Sequence, residues 1–419
     1  MIRSSFKQKK AEDYSILNKE VNQEGFTFLL KEQIGAISHD LEKFLVSPIM
    51  ITTIERNKYS RLSSLLNEVF EKVVLNYFKD KDIRETYRLD AGLESILKLT
   101  EGIPYKVGMY RPDFIFNKRG EPKICEIGCR YPINGWMISY HVNEVLSKLE
   151  VFTKHSNVIP EQLDFIPTIL NDLDINKTLF YVHDKEKGTE VHSFFKKLSE
   201  KGFSIADISF NDLKLVNNEL VVNDEIAVQF ILEVDREELK NKDPKILKAL
   251  IKADACINDL RSIILVHDKR ILSVLYNEAI MTKYISEEDY VFFKQFLIPS
   301  FTLNSKKIRD QLINSSHNNW ILKRSSGGRG IGMYEKNNCS ESLWKKVVTE
   351  QWADYMVQEY ISQKELSISY KGDKQTINVV GMLLAYNEQS FGLGIYRGST
   401  ESIINVHSGA YVFPSVVAI

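Results

Sequence analysis

The chain has 419 residues, 43% hydrophobic and 26% charged, ordinary proportions for a globular protein long enough for two or three lobes. Lys+Arg total 55 against Asp+Glu 56, a net charge of −1, which excludes a global electrostatic case for nucleic-acid or membrane-surface binding but leaves room for a local basic cleft. The apolar runs are too short for a membrane span, the charged MIRSSFKQKKAEDYS lacks the apolar core of a signal peptide, and the cysteines at 125, 129, 256 and 339 make no disulfide framework, so a cytoplasmic protein with reduced thiols is expected.

Residues 1 to 100 read as helical: Phe26–Lys31, Ile37–Phe44 and Leu62–Phe78 carry apolar residues at three-to-four spacing. They look like packing helices without chemistry. The character changes at Met109. Tyr110–Phe116 is a strand bearing Arg111 and Asp113, Asn117–Gly120 a turn, and Pro122–Ile127 the return strand bearing Glu126 and ending at Gly128. Two carboxylates on neighbouring strands offer the hard oxygen donors that Mg²⁺ takes when it also binds phosphates. Two solvated acids on a β-ribbon fit the same pattern. The loop Cys129–Trp136, with Arg130 and Asn134, suits a ligand rim or ordinary turn chemistry at Pro and Asn-Gly.

Residues 137–151 read as a helix and Thr178–Val182 as a buried strand. Val191–Lys201 reads as a helix ended by Gly202, and Phe203–Ile208, Glu219–Val222 and Ile226–Leu232 as further strands. The alternation predicts a small α/β layer, without a glycine fingerprint for a dinucleotide. Glu237–Ala253 reads as one helix and Ile263–Val266 as a short strand, after which His267-Asp268-Lys269 opens a helix over Arg270–Ala279. Lys269 either faces a cleft or is a solvated first-turn lysine.

Trp320–Tyr334, WILKRSSGGRGIGMY, is the most informative stretch. Its pattern is strand, glycine-rich turn, strand. A dinucleotide fingerprint or a Walker loop needs a helix after the glycines, and no G-x-x-x-x-G-K-[ST] occurs. A hairpin with a tip of Ser326, Gly327, Gly328 and Gly330 can instead fold over a nucleotide, its backbone N–H groups facing phosphate oxygens, with Lys323 just before it to neutralise charge. An exposed glycine hairpin is the plainer alternative. Beyond it lie Met356–Ile361, containing Gln358, Glu359, Tyr360 and Ile361, and strands Lys364–Ser369, Thr376–Leu384 and Gly392–Arg397. Ile403–Ala410 would finish an antiparallel β-rich region. Arg397 falls at a strand end, where it can brace a transferring phosphoryl group or lie on the surface. Hinges are expected near 100–108, 160–176 and 300–318.

From about Gly108 to the C-terminus the order of these pieces resembles the ATP-grasp ligases, and within them the glutathionylspermidine synthetase-like branch, in which the metal-binding hairpin precedes the nucleotide lysines. Tyr110-Arg-Pro-Asp-Phe and Pro122-Lys-Ile-Cys-Glu-Ile look like the family's Arg-x-Asp-Phe and its strand ending in Glu-x-Asn. The resemblance implies a mixed α+β and α/β, ATP-grasp-like fold: a helical region 1–107, a hairpin and substrate loop 108–150, a small α/β domain 151–260 and nucleotide-binding lobes 261–419. It implies that Arg111 and Arg397 face the transferred phosphate, that Asp113 and Glu126 hold Mg²⁺, and that Lys269, Lys323, Ser326 and the glycines contact ATP. Gln358–Ile361 would meet the adenine, and Arg130 and Asn134 the substrate. The activity implied is ATP-dependent joining of a small-molecule or peptide carboxylate to an amine, with no nucleic-acid or membrane partner. Three positions depart from the family pattern: Gly128 replaces its Asn, Asp268 the Asn before Lys269, and Arg324 the Pro after Lys323.

Overall fold

A computed structural model describes residues 23–34, 40–149, 161–253, 255–314, 319–328, 330–401, 404 and 409–418. Helix α1 (Gln23–Ile34) buries Phe26 and Leu30. Of the helix expected at Ile37–Phe44, the first residues lie outside the described ones, and the rest is one 3-10 turn, Leu41–Lys43, capped by Asp40. β1 (Ile49–Thr52) runs into α2 (Thr53–Leu75), opened by a capping box in which Thr52 Oγ accepts from the Glu55 N–H and the Glu55 carboxylate accepts from the Thr52 N–H. Leu62, Leu66, Val69, Phe70 and Val73, spaced three and four apart, form its buried stripe.

β2 (Met109–Phe116) and β3 (Pro122–Gly128) form the expected hairpin. After α3 (Trp136–Leu146) come β4 (Leu179–His183), α4 (Val191–Glu200), β5 (Ile205–Ser209), a meander of β6 (Lys214–Val216), β7 (Glu219–Val222) and β8 (Glu225–Ile226), then β9 (Gln229–Glu233) and β10 (Ala255–Cys256). The parallel strands lie in the order β10-β9-β4-β5, the expected α/β layer. Their C-terminal edge, the side on which open parallel sheets bind ligands, carries Glu233 and His183.

Two elements differ from expectation here. The helix over Glu237–Ala253 is split into α5 (Arg236–Leu239) and α6 (Pro244–Lys252), because Pro244, lacking an N–H, sits in a first turn capped by Asp243. Ser262–Val266 is helical, not a strand: all five residues are buried, so the run shows no polar face from which a period could be read. The His267–Lys269 corner therefore joins this turn to α7 (Ile271–Tyr276).

β11 (Ser300–Thr302), α8 (Lys306–Asn314), β12 (Trp320–Arg324), β13 (Met333–Glu335), α9 (Glu341–Glu350) and β14 (Tyr355–Glu359) make a lobe with an antiparallel sheet, order β11-β14-β12-β13. Its own core includes Leu322, Val357, Leu312 and Trp344. Of the stretches expected as hinges, 160–176 contains the helix Phe165–Asn171 and 300–318 contains β11 and α8, with 160 and 315–318 outside the described residues. β15 (Leu366–Tyr370), β16 (Asp373–Tyr386), β17 (Gln389–Leu393), β18 (Tyr396–Ser399) and β19 (Tyr411–Phe413) join β2 and β3 in a seven-stranded sheet whose path is β19-β18-β16-β2-β3. Arg397 is thus inside β18, not at its end. β20 (Ser415–Ala418) pairs in parallel with β1, so the C-terminal region is not wholly antiparallel. Most of Ile403–Ser408 lies outside the described residues. Among those described, no helix is long and apolar enough to cross a membrane, and all four cysteines are free.

Candidate functional site

The hairpin register makes Asp113 and Glu126 directly opposed partners, with an irregularity immediately after Asp113. Arg111 lies two residues before Asp113, on the same face, and its Nε donates to Asp113 Oδ1 at 3.1 Å. From β18, across the intervening β16, Arg397 Nη2 reaches Asp113 Oδ2 at 2.6 Å. One carboxylate is therefore held by two guanidiniums. Arg111 also donates to the carbonyl of Asn134, the contact that brings the 129–136 loop to the hairpin.

Glu126 pairs with Lys269 Nζ at 2.9 Å. Burial opposes ionisation of this carboxyl, but Lys269, reinforced by His267 and Lys323, outweighs it and holds the group down at about 2, so it is ionised at neutral pH. Lys269 Nζ also donates to the Gly327 carbonyl at 2.8 Å, and its backbone N–H to the Ser325 carbonyl at 3.0 Å. The helix corner is thereby joined to the glycine hairpin. Lys323, buried on β12, donates to Gln358 Oε1 at 2.7 Å and to the Cys125 carbonyl of β3 at 2.9 Å, bridging the two sheets. Burial pushes its ammonium below the ordinary lysine range.

The hairpin loop needs its glycines. Gly327, Gly330 and Gly332 have φ of 91°, 76° and 74°, and a Cβ on Gly332 would lie 2.9 Å from that of Arg324. Nothing lies within 4 Å of where a Cβ would stand on Gly327 or Gly328, so their backbone faces open space.

The strand expected to meet an adenine is placed differently in detail. The Gln358 side chain is engaged on both sides, by Lys323 and by Ser300 Oγ at 2.9 Å, so it positions the lysine. The N–H groups of Glu359 and Tyr360 are taken by the carbonyls of Pro299 and Asn319, both at 2.8 Å. These two residues and Ile361 are half-buried. Arg130 sits away from the Asp113–Glu126 pair, bonded to Asp235 at 3.1 Å and Glu186 at 3.3 Å and stacked on Tyr131. The Asn134 side chain accepts from the Glu190 N–H at 3.4 Å.

Asp113 and Glu126 are suited to Mg²⁺ only jointly with phosphate oxygens. Among the described residues no cluster of three or more His, Cys, Asp or Glu could hold a metal alone, Gly128 brings no side chain, and Asn134 is turned towards Glu190. One or two carboxylates completed by substrate phosphates is the usual way this ion is held. The cations now on both carboxylates are also those that phosphates would draw towards themselves.

Beside Lys269 a narrow cleft of about 10 Å³, room for about one water molecule, is lined by Arg130, Arg236, His267, Ser325, Ser326 and Gly327, among others. Sequence reasoning missed Arg236 and His267. Arg236 is one charge in a charged stretch, and its partner Asp268 lies 32 residues on. His267 was visible next to Lys269, and that adjacency was the available signal. Burial and Lys269 push its imidazole down to about 4, so it is neutral at pH 7. Two buried acids were also unforeseen. Glu190 caps α3, accepting from Gly135 at 2.6 Å and Ile138 at 2.9 Å. Glu233 accepts from Gly188 at 2.6 Å and from Tyr181. Burial pushes both up to about 7.

The AnkG N-terminal domain family matches residues 62–265. An "ATP-grasp enzyme ankG" of Aspergillus thermomutatus is 23% identical over 441 residues, covering 90% of this chain and 89% of that protein. The glutathione synthetase-like effector GSS30 of Globodera pallida, in its apo form, superposes with a TM-score of 0.56 at 12% identity, covering 97% of both chains. The chain shares its fold with this glutathione synthetase-like structure.

Proposed function

We propose that the chain is an ATP-dependent carboxylate–amine ligase that works through an acyl phosphate and releases ADP and phosphate. The observation that carries this reading is the meeting of Asp113, Glu126, Arg111, Lys269, Lys323 and Arg397, drawn from four strands and a helix corner, beside an open glycine hairpin. The relative named as an ATP-grasp enzyme supports it, and the chain order of the pieces favours the glutathionylspermidine synthetase-like arrangement.

In this reading Lys269 and Lys323 neutralise nucleotide phosphates and the 327–332 loop cradles them with backbone N–H groups. Asp113 and Glu126 would hold Mg²⁺, which supplies charge neutralisation between phosphates when bound. Arg111 and Arg397 brace the γ-phosphoryl group while a donor carboxylate oxygen attacks phosphorus and ADP leaves. The amine nitrogen then attacks the acyl carbon, the C–O bond to phosphate breaks, and the amine gives up a proton. Closure of the loop keeps water from the acyl phosphate. No cysteine thiolate is needed, and burial raises the nearest thiol, Cys125, to about 12. Free thiols accord with a cytoplasmic setting.

The second reading, a module that holds nucleotide without ligating, is favoured by Gly128 and by the cations already on both carboxylates. An ADP-release screen over paired carboxylates and amines separates the two. The ligase reading expects carboxylate-dependent ADP release that falls on the order of a hundredfold or more in Asp113→Asn. Nucleotide binding with no ADP release for any pair supports the module.

A further inference from the structure

The guanidinium of Arg111 is held by a peptide group. The Asn134 C=O and the Gly135 N–H belong to one peptide plane, and in a planar trans unit they point in opposite directions. Arg111 Nη1 donates to the Asn134 carbonyl at one end, and Glu190 Oε1 accepts from the Gly135 N–H at 2.6 Å at the other. A cation and an anion thus grip a single peptide, each at the end of the dipole that favours it. Charge-assisted hydrogen bonds in such a chain strengthen one another.

Glu190 reaches this position from the loop between β4 and α4. Its carboxylate also accepts from the Ile138 N–H at 2.9 Å, and its own N–H donates to Asn134 Oδ1 at 3.4 Å. Gly135, at the N-cap of α3, has no side chain to cap the helix, so Glu190, 55 residues away, supplies the cap. A neutral cap would serve the helix without the cost of burying a carboxylate, which is 4% exposed here. A charge kept there answers the guanidinium at the far end of the peptide. Burial pushes this carboxyl up, and the Gly135 and Ile138 N–H groups, followed by Arg111, oppose that push.

The contact is close as well as charged. A Cβ on Gly135, whose φ is 86°, would lie 2.9 Å from Arg111 Nη1 and 3.2 Å from its Cδ, and one on Gly128 would lie 3.4 Å from Nη2. The two glycines let backbone lie against the guanidinium. Nε is taken by Asp113 and Nη1 by Asn134, and nothing among the described residues accepts from Nη2. The side chain is 21% exposed, so Nη2 is the donor left for a ligand oxygen.

We propose that Glu190 is a positioning residue: through the Asn134–Gly135 peptide it fixes the Arg111 guanidinium so that Nη2 meets the γ-phosphoryl group. This role rests on the nucleotide site of the ligase reading. It makes the α/β layer, which carries Glu190, a determinant of how tightly the terminal phosphate is held.

The test is calorimetric titration of the full chain, in Mg²⁺, with a non-hydrolysable ATP analogue and with ADP. The ratio of the two affinities isolates the contacts of the γ-phosphate. The wild type should prefer the analogue, and Arg111→Met should cut that preference on the order of tenfold, the scale of a hydrogen bond to a charged group. Glu190→Gln keeps the shape and one acceptor and removes a buried charge. It should cut the preference about three- to tenfold and leave ADP affinity unchanged. In the Arg111→Met background it should have no further effect. A helix cap alone would lower the melting temperature without moving the ratio. If Glu190→Gln does not fold, Glu190→Asp, which withdraws the carboxylate by one methylene, takes its place with the same expected loss. Equal wild-type affinity for the two nucleotides, an unmoved ratio in the Glu190 variant, or a further loss on top of Arg111→Met overturns the proposal. Failure of the wild type to bind either nucleotide sinks the ligase reading and this role with it. Wild-type binding of both, with the ratio unmoved in the Glu190 variant, sinks the positioning role alone.

Discussion

Replacing Gln358 by leucine removes one of the acceptors that hold the Lys323 ammonium. Lys323 is 5% exposed, and its ammonium donates to Gln358 Oε1 at 2.7 Å and to the Cys125 carbonyl at 2.9 Å. Leucine nearly conserves volume, so the cavity contribution is small. Ser300 Oγ loses an incoming donor but keeps its own bond to the Ile298 carbonyl at 2.8 Å. What is lost is a hydrogen bond to a charged, buried group, about 1.5–3 kcal/mol. The assay is urea unfolding at pH 7 followed by circular dichroism, on Gln358→Leu, Lys323→Met and the double variant. Once the ammonium is gone the missing acceptor no longer matters. The double variant should therefore be less destabilised than the sum of the singles by about 1–2 kcal/mol. A Gln358→Leu protein within about 0.5 kcal/mol of wild type, or strictly additive singles, would refute the reasoning.

Glu233 is an acid whose folded-state pKa is raised to about 7 from an ordinary 4.5, so the stability it contributes at low pH is lost as pH rises between those values. Glu233→Gln should therefore gain on the wild type from pH 5 to pH 8, by up to about 3 kcal/mol, and parallel stability–pH curves for the two proteins would contradict this. Gly332→Ala should cost about 1–3 kcal/mol and weaken nucleotide binding, because alanine must adopt φ 74° with its Cβ 2.9 Å from that of Arg324. Gly328→Ala, with open space around it, should stay within about 0.5 kcal/mol on the same denaturation assay.

The parts of the site that were legible in sequence are those in which chemistry and local geometry are encoded together. Three positive-φ glycines between two apolar runs dictate a hairpin, and the turn at Asn117–Gly120 pairs Phe116 with Pro122, whereas the irregularity after Asp113, which shifts the register by one and opposes Asp113 to Glu126, carries no local signal. Arg397 was a candidate from its place beside a strand and from its resemblance to a family motif, but its pairing with Asp113 spans 284 residues and had no local signal. Ile263–Val266 was misread because a run buried all round carries neither a helical nor a strand period. Gln358 was read as a ligand contact because the strand carrying it matched a motif, whereas its side-chain partners, Lys323 and Ser300, are fixed by the order of strands in the lobe. Arg236, Glu190 and Glu233 give no local signal at all. Their significance comes from burial, which tertiary packing decides.

Lys269, bonded to the Gly327 carbonyl, and Lys323, at the base of the glycine hairpin, are proposed to hold a nucleotide. Calorimetric titration of the pure chain with Mg²⁺ and a non-hydrolysable ATP analogue, alongside Lys323→Ala, tests that claim most directly. Saturable binding by the wild type that is lost in the variant is the expected result. Absence of binding to the wild type, or equal binding by both proteins, would contradict the claim and leave only the shared fold.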